Sequence, residues 1–141
     1  VLDTEPLLDA EYIQTGKVKY VVHPFHLGRP DIALATEAAW CAADQNKYFE
    51  YQHSLYDNFG VTYSRALLND IAANIGLDQD AFAQCLSNGT HRADVENARQ
   101  AAIRRGVNST PTFFVNGRKL EGNQPFQVFQ STIEQELAVG Q

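Results

Sequence analysis

Gly106-Val107-Asn108-Ser109-Thr110-Pro111-Thr112-Phe113-Phe114-Val115-Asn116-Gly117 is the stretch that decides the fold. Gly106 is placed to stop a helix. Residues 112–115 form strands readily, and Asn116-Gly117 is a strong hairpin signal. Residues 118–121 return as the second strand. Pro111 gives up a ladder donor, which suits the first residue of a strand. Only ~5–6% of X-Pro bonds in folded proteins are cis, and the place just before a strand raises that prior for a cis Thr110-Pro111 bond. It would turn the chain sharply and present the N–H and C=O of Thr110 to an extended peptide, a short case of strand addition.

Working outward, a last helix is expected from Pro125, with Phe126, Phe129, Ile133 and Leu137 on one side. Upstream, residues 90–105 form a helix with Val95, Ala98 and Ala102 inward. Asp78 caps a short helix carrying Phe82, Cys85 and Leu86. Ser64 caps another, whose Leu67, Leu68, Ile71, Ala72 and Ile75 make an apolar stripe ended by Gly76. Residues 47–59 give an aromatic helix with Phe49, His53 and Tyr56 on one stripe and Tyr48, Gln52 and Leu55 on its neighbour. Residues 31–45 give a helix on which Leu34, Ala38 and Cys41 share a face. Val18, Tyr20, Val21 and Val22 predict a strand over 17–23, ended by Pro24. Residues 1–15 predict a helix through Leu7, Leu8, Tyr12 and Ile13, with Pro6 forcing a kink or a late start. The expected organisation is one domain, 1–141, with a helical insertion over about 31–105 between core segments 1–30 and 106–141.

The chain has 141 residues, 44% apolar and 20% charged, enough for one ordinary globular core. Its net charge of −6, with acid and base interspersed, argues against a nucleic-acid surface. No apolar run approaches a membrane span of ~20 residues. The sequence begins at Val1 and contains no Met, which is expected of a processed or excised piece. The lack of a targeting segment is therefore silent about location.

Cys41 and Cys85 form no Cys-x-x-Cys. They are either inert core thiols or a structural disulfide, which would imply a compartment outside the reducing cytosol. Both lie on apolar helix faces of the insertion. If those helices pack together, the bond would cross-link the block, worth about 4 kcal/mol in the chain-entropy model. A redox role calls for an exposed thiolate, and both positions look buried. His23 and His26 are expected as loop residues, His53 as a satisfied core histidine and His91 as solvated. No phosphate loop, nucleophile elbow or zinc motif is present, and no metal or cofactor is assigned.

Residues 106–117 resemble the cis-proline loop, strand and hairpin of DsbA-like thioredoxin-fold thiol:disulfide oxidoreductases. The resemblance extends to Tyr12-Ile13 with Thr15-Gly16-Lys17-Val18, to Ala38-Ala39 and Cys41-Ala42-Ala43-Asp44-Gln45, to residues 48–53, to Phe82 with Cys85-Leu86, and to Gln124-Pro125-Phe126. It implies an α/β, thioredoxin-like fold with an all-helical insertion. It also implies activity on cysteine-containing client proteins outside the cytosol, in a cell-envelope, periplasmic, secreted or membrane-anchored setting. Thr110, Pro111 and Ser109 would hold the client, and Cys41–Cys85 would be a structural disulfide.

This family carries a Cys-x-x-Cys at the start of its first helix, after a central strand. Neither is found here, so no catalytic residue is assigned and the motif is expected upstream of Val1. The fragment alone is expected to be inactive and incomplete at its N-terminus. The strand 17–23 and the strand 112–115 would then have open edges, giving self-association with another chain's strand or a closed-up sheet. Two alternatives are a non-catalytic thioredoxin-fold module that binds peptides or partners, and a DsbA-like glutathione-dependent isomerase.

Overall fold

The computed structural model describes residues 3–140, which divide into two compact units, 1–23 with 107–141 and 24–106. In the first unit, α1 (Glu5–Leu8) runs on as a π-helical turn over Asp9–Ile13, where the Gln14 amide donates to the Asp9 carbonyl at 2.9 Å. Pro6 lies in the first turn, where its missing N–H removes no helical bond. The helix thus starts at Glu5 and not at the chain's first residues; residues 3 and 4 form a turn, and Val1 and Leu2 lie outside the described residues.

The expected strand over 17–23 is corrected. Val18, Tyr20 and Val22 are half-buried, and Lys17, Lys19, Val21 and His23 are exposed, so the side chains alternate as in a strand. Among the described residues, however, the sheet has two strands, β1 (Thr112–Val115) and β2 (Arg118–Glu121). Alternation needs only an apolar side and a polar side, whereas a strand needs a neighbour to bond. Neither a closed-up sheet nor a strand over 17–23 forms.

β1 and β2 pair antiparallel, with Thr112 opposite Glu121 and Val115 opposite Arg118. Asn116 and Gly117 both have positive φ, +47° and +91°, as a tight two-residue hairpin turn requires. α7 (Phe126–Val139) packs its apolar face on this hairpin and on α1. Leu8, Tyr12, Phe129 and Ile133 form the core, flanked by Val18, Phe113, Val115 and Leu120. Phe113 and Phe129 meet edge to face at 4.8 Å, and the Tyr12 hydroxyl donates to Glu134 at 2.8 Å.

The second unit is helical: α2 (Pro30–Ala43), α3 (Tyr48–Asp57), α4 (Arg65–Asn74), α5 (Gln79–Asn88) and α6 (Arg92–Arg104). The predicted caps are present, with the Leu67 amide donating to Ser64 Oγ at 3.2 Å and the Ala81 amide to Asp78 Oδ1 at 2.9 Å. Ala38, Cys41, Ala42, Leu68, Ile71, Ala72, Phe82 and Leu86 fill the interior. On α3 the buried residues are Tyr51 and Leu55, whose hydroxyl and carbonyl are both used: Tyr51 donates to the Leu68 carbonyl at 2.9 Å, and Tyr63 donates to that of Leu55 at 2.7 Å. His53, expected in the core, is exposed. The aromatics of α3 run from exposed Phe49 through half-buried Tyr48 and Tyr56 to buried Tyr51, so their spacing did not mark its inner face.

Candidate functional site

The loop before β1 is built by three local devices. Gly106, at φ +77°, ends α6, and Val107 is buried. The Thr112 hydroxyl donates to the Ser109 carbonyl at 2.8 Å, closing residues 109–112 into a turn. At the far end of the hairpin the Gly122 amide donates to the Pro111 carbonyl at 2.8 Å. The Thr110-Pro111 peptide bond is cis. Ser109 and Thr110 are exposed and Pro111 is half-buried. Among the described residues the backbone of Thr110 makes no hydrogen bond, so its donor and acceptor face solvent. A shallow hollow beside β1 has an apolar floor of Leu8, Tyr20, Phe113 and Phe129 and a polar rim of Thr4, Glu5 and Asn123.

The helical unit holds a second cluster. Cys41 and Cys85 are joined by a disulfide between α2 and α5. Cys41 is buried, whereas Cys85 is only half-buried, more open than its apolar helix face suggested. His91, expected to be solvated, has a side chain only 13% exposed. Its Nε2 lies 2.7 Å from Asp44 Oδ2, its Nδ1 lies 3.3 Å from Asp94 Oδ2, and its ring packs on Trp40 at 5.6 Å. Burial pulls the His91 pKa down, but the Asp44 and Asp94 carboxylates outweigh it and hold the imidazole above its ordinary value. No local signal marked this grouping, because Asp44 and His91 are 47 residues apart.

His26 is also buried rather than an open loop residue. Its Nδ1 accepts from the Gly28 amide at 3.3 Å, its carbonyl accepts from Arg99 at 3.3 Å, and its Nε2 lies 3.6 Å from Glu96. His23 is exposed, so the two histidines face different surroundings.

A family model described as thioredoxin (Thioredoxin_4) matches residues 3–135. The chain belongs to the thioredoxin family. Its curated relatives include proteins named as protein-disulfide oxidoreductases. It is 29% identical over 137 residues to a putative protein-disulfide oxidoreductase of Rickettsia conorii, covering 94% of this chain and 49% of that protein. It is 32% identical over 126 residues to a Na(+)/H(+) antiporter NhaA of Herminiimonas arsenicoxydans, covering 83% of this chain and 18% of that one. The crystal structure of the thiol-disulfide exchange protein alpha-DsbA2 from Wolbachia pipientis superposes with a TM-score of 0.80 at 23% identity, over 96% of this chain and 72% of the other. That likeness fixes the fold: thioredoxin-like, helix-rich, with a small sheet. The chain spans about half the length of the curated Rickettsia oxidoreductases it matches. Among the described residues no helix is long and apolar enough to cross a membrane.

Proposed function

We propose that this chain carries the client-holding part of a DsbA-like thiol:disulfide oxidoreductase that acts on cysteines of exported proteins. The observation that carries this reading is the exposed, unbonded backbone of Thr110 beside half-buried Pro111 at the head of β1. An extended client segment can take both hydrogen bonds there without disturbing the hairpin. Ser109 lies alongside as a further contact. The Cys41–Cys85 bond supports a setting outside the reducing cytosol. It cross-links the helical unit and takes no part in client exchange.

Thiol–disulfide exchange needs an attacking thiolate or an accessible disulfide near the client. This sequence has no Cys-x-x-Cys, so on its own the chain neither oxidises nor reduces clients. The test is a nuclear magnetic resonance titration with an extended peptide whose cysteine is alkylated. Shifts centred on Ser109, Thr110 and Thr112 support the proposal. A titration that leaves those amides unmoved overturns it.

A second reading is a non-catalytic module that binds partners through the same loop. It is favoured by the engagement of both cysteines in one disulfide, which leaves none free. The two readings differ in what the loop selects. A client-holding loop takes extended peptides of varied sequence through its backbone bonds, whereas a partner-binding module requires particular side chains.

A further inference from the structure

The second cluster goes beyond client holding. Cys41 Sγ, Cys85 Sγ and a ring nitrogen of His91 all lie within 4.8 Å of one another. Asp44 Oδ2 is 2.7 Å from His91 Nε2 and 3.8 Å from Cys85 Sγ. Two sulfurs, one imidazole nitrogen and one carboxylate oxygen match the number and kinds of ligand in a tetrahedral zinc site. The groups come from three places in one compact unit: Cys41 and Asp44 from the end of α2, Cys85 from α5, and His91 from the N-terminal cap of α6. Asp94 sits against the other ring nitrogen, His91 Nδ1, at 3.3 Å. An outer carboxylate on one imidazole nitrogen is how ligating histidines are oriented, with the other nitrogen turned to the metal.

In the disulfide form the sulfurs are bonded to each other and are not ligands. We propose that reduction of the Cys41–Cys85 disulfide converts this cluster into a zinc-binding site, with Cys41, Cys85, His91 and Asp44 as ligands. The chemistry balances with a dithiol as reductant. Its two thiols supply two electrons and two protons, the Cys41–Cys85 bond breaks, and the dithiol closes to its own disulfide. Binding of Zn²⁺ then displaces both thiol protons to solvent. The surroundings favour a cation over bare thiolates, because Asp44 and Asp94 already place negative charge around the sulfurs and the ring. Cys85 and Asp44, the more open members, give the ion its way in, while buried Cys41 closes the inner side.

The experiment uses the 141-residue chain, reduced with dithiothreitol, desalted without oxygen and titrated with Co²⁺ as a spectroscopic probe, then with Zn²⁺ in competition. The expected result is one Co²⁺ per reduced chain, with sulfur-to-cobalt charge transfer and tetrahedral d–d bands, and no such spectrum from the oxidised chain. His91→Ala and Asp44→Asn are each expected to weaken binding by about tenfold or more, since each removes one ligand. A reduced chain without the charge-transfer band overturns the proposal. So does an affinity unchanged by both substitutions, because an unfolded dithiol chain would bind through sulfur alone. Neither outcome depends on peptide binding at Thr110, so the two readings stand or fall separately.

Discussion

Cys41 on α2 and Cys85 on α5 are bonded across 44 residues of chain. The loop they close contains all of α3 and α4, so the bond restricts the unfolded chain over more than half of the helical unit. In the chain-entropy model a loop of this length is worth about 4 kcal/mol, and removal of native disulfides typically costs 2–5 kcal/mol. The double substitution Cys41→Ala with Cys85→Ala is therefore expected to lower unfolding free energy by about 2–4 kcal/mol in urea denaturation. Denatured, unreduced wild-type chain should show no free thiol in the same experiments.

The two capping side chains give a smaller and separate effect. Ser64 Oγ and Asp78 Oδ1 each accept from an amide in the first turn of the following helix. Ser64→Ala and Asp78→Ala should each cost about 1 kcal/mol. Ser64→Gly and Asp78→Gly should cost only a few tenths of that loss. Ser64→Thr and Asp78→Asn keep a capping oxygen and should lose little; a loss as large as for Ala would mean that the hydroxyl and carboxylate bonds are not the source.

These caps, the hairpin and its turn were legible because the chemistry that makes them is local. Ser64 acts three residues away, and Asn116-Gly117 sets its own dihedrals. What was not legible depends on partners distant in sequence. Residues 17–23 alternate as a strand does, yet nothing within them says whether another strand lies alongside. His91 looked like an open helix-start residue until Asp44 and Trp40 were placed beside it. In the loop before β1 the cis Thr110-Pro111 bond was suggested by its place before a strand and by the family resemblance, but the bond from Thr112 to Ser109 that shapes the turn was not anticipated.

Gly117 carries the hairpin turn at φ +91°, a region open to glycine and costly for a branched side chain. Gly117→Val is expected to destabilise by about 1–2 kcal/mol. Amide hydrogen exchange should quicken first in β1 and β2. Asn116→Gly should be close to neutral, because Asn116 already holds positive φ and glycine relieves that cost while loosening the unfolded chain.

Tyr51 is expected to contribute to a loss of stability at alkaline pH, together with Tyr63 and Tyr12. The Tyr51 side chain is fully buried, and burial raises its pKa above the ordinary tyrosine value of 10.0. Tyr63 is raised too, by burial and by the Asp31 carboxylate. A raised folded pKa means that the native state holds its proton when the unfolded chain has already lost it. The stability contributed is fully present below about pH 10 and is lost as pH rises towards the folded values. Unfolding free energy should therefore decline steeply above about pH 10.

Tyr51→Phe separates the two roles of that ring. It removes the hydroxyl bond to the Leu68 carbonyl at 2.9 Å but keeps the contact with Phe82 at 5.5 Å. The expected cost at neutral pH is about 1 kcal/mol, the usual net worth of one buried hydrogen bond. The alkaline decline should flatten in the same variant, since one buried ionisation has been deleted. Tyr51→Ala should cost about 3–5 kcal/mol, because the ring's packing is lost as well. A Phe variant that loses as much as Ala would place the stability in the hydroxyl, and one with an undiminished alkaline decline would remove Tyr51 as its cause. Urea denaturation at several pH values on the three proteins reads both quantities at once.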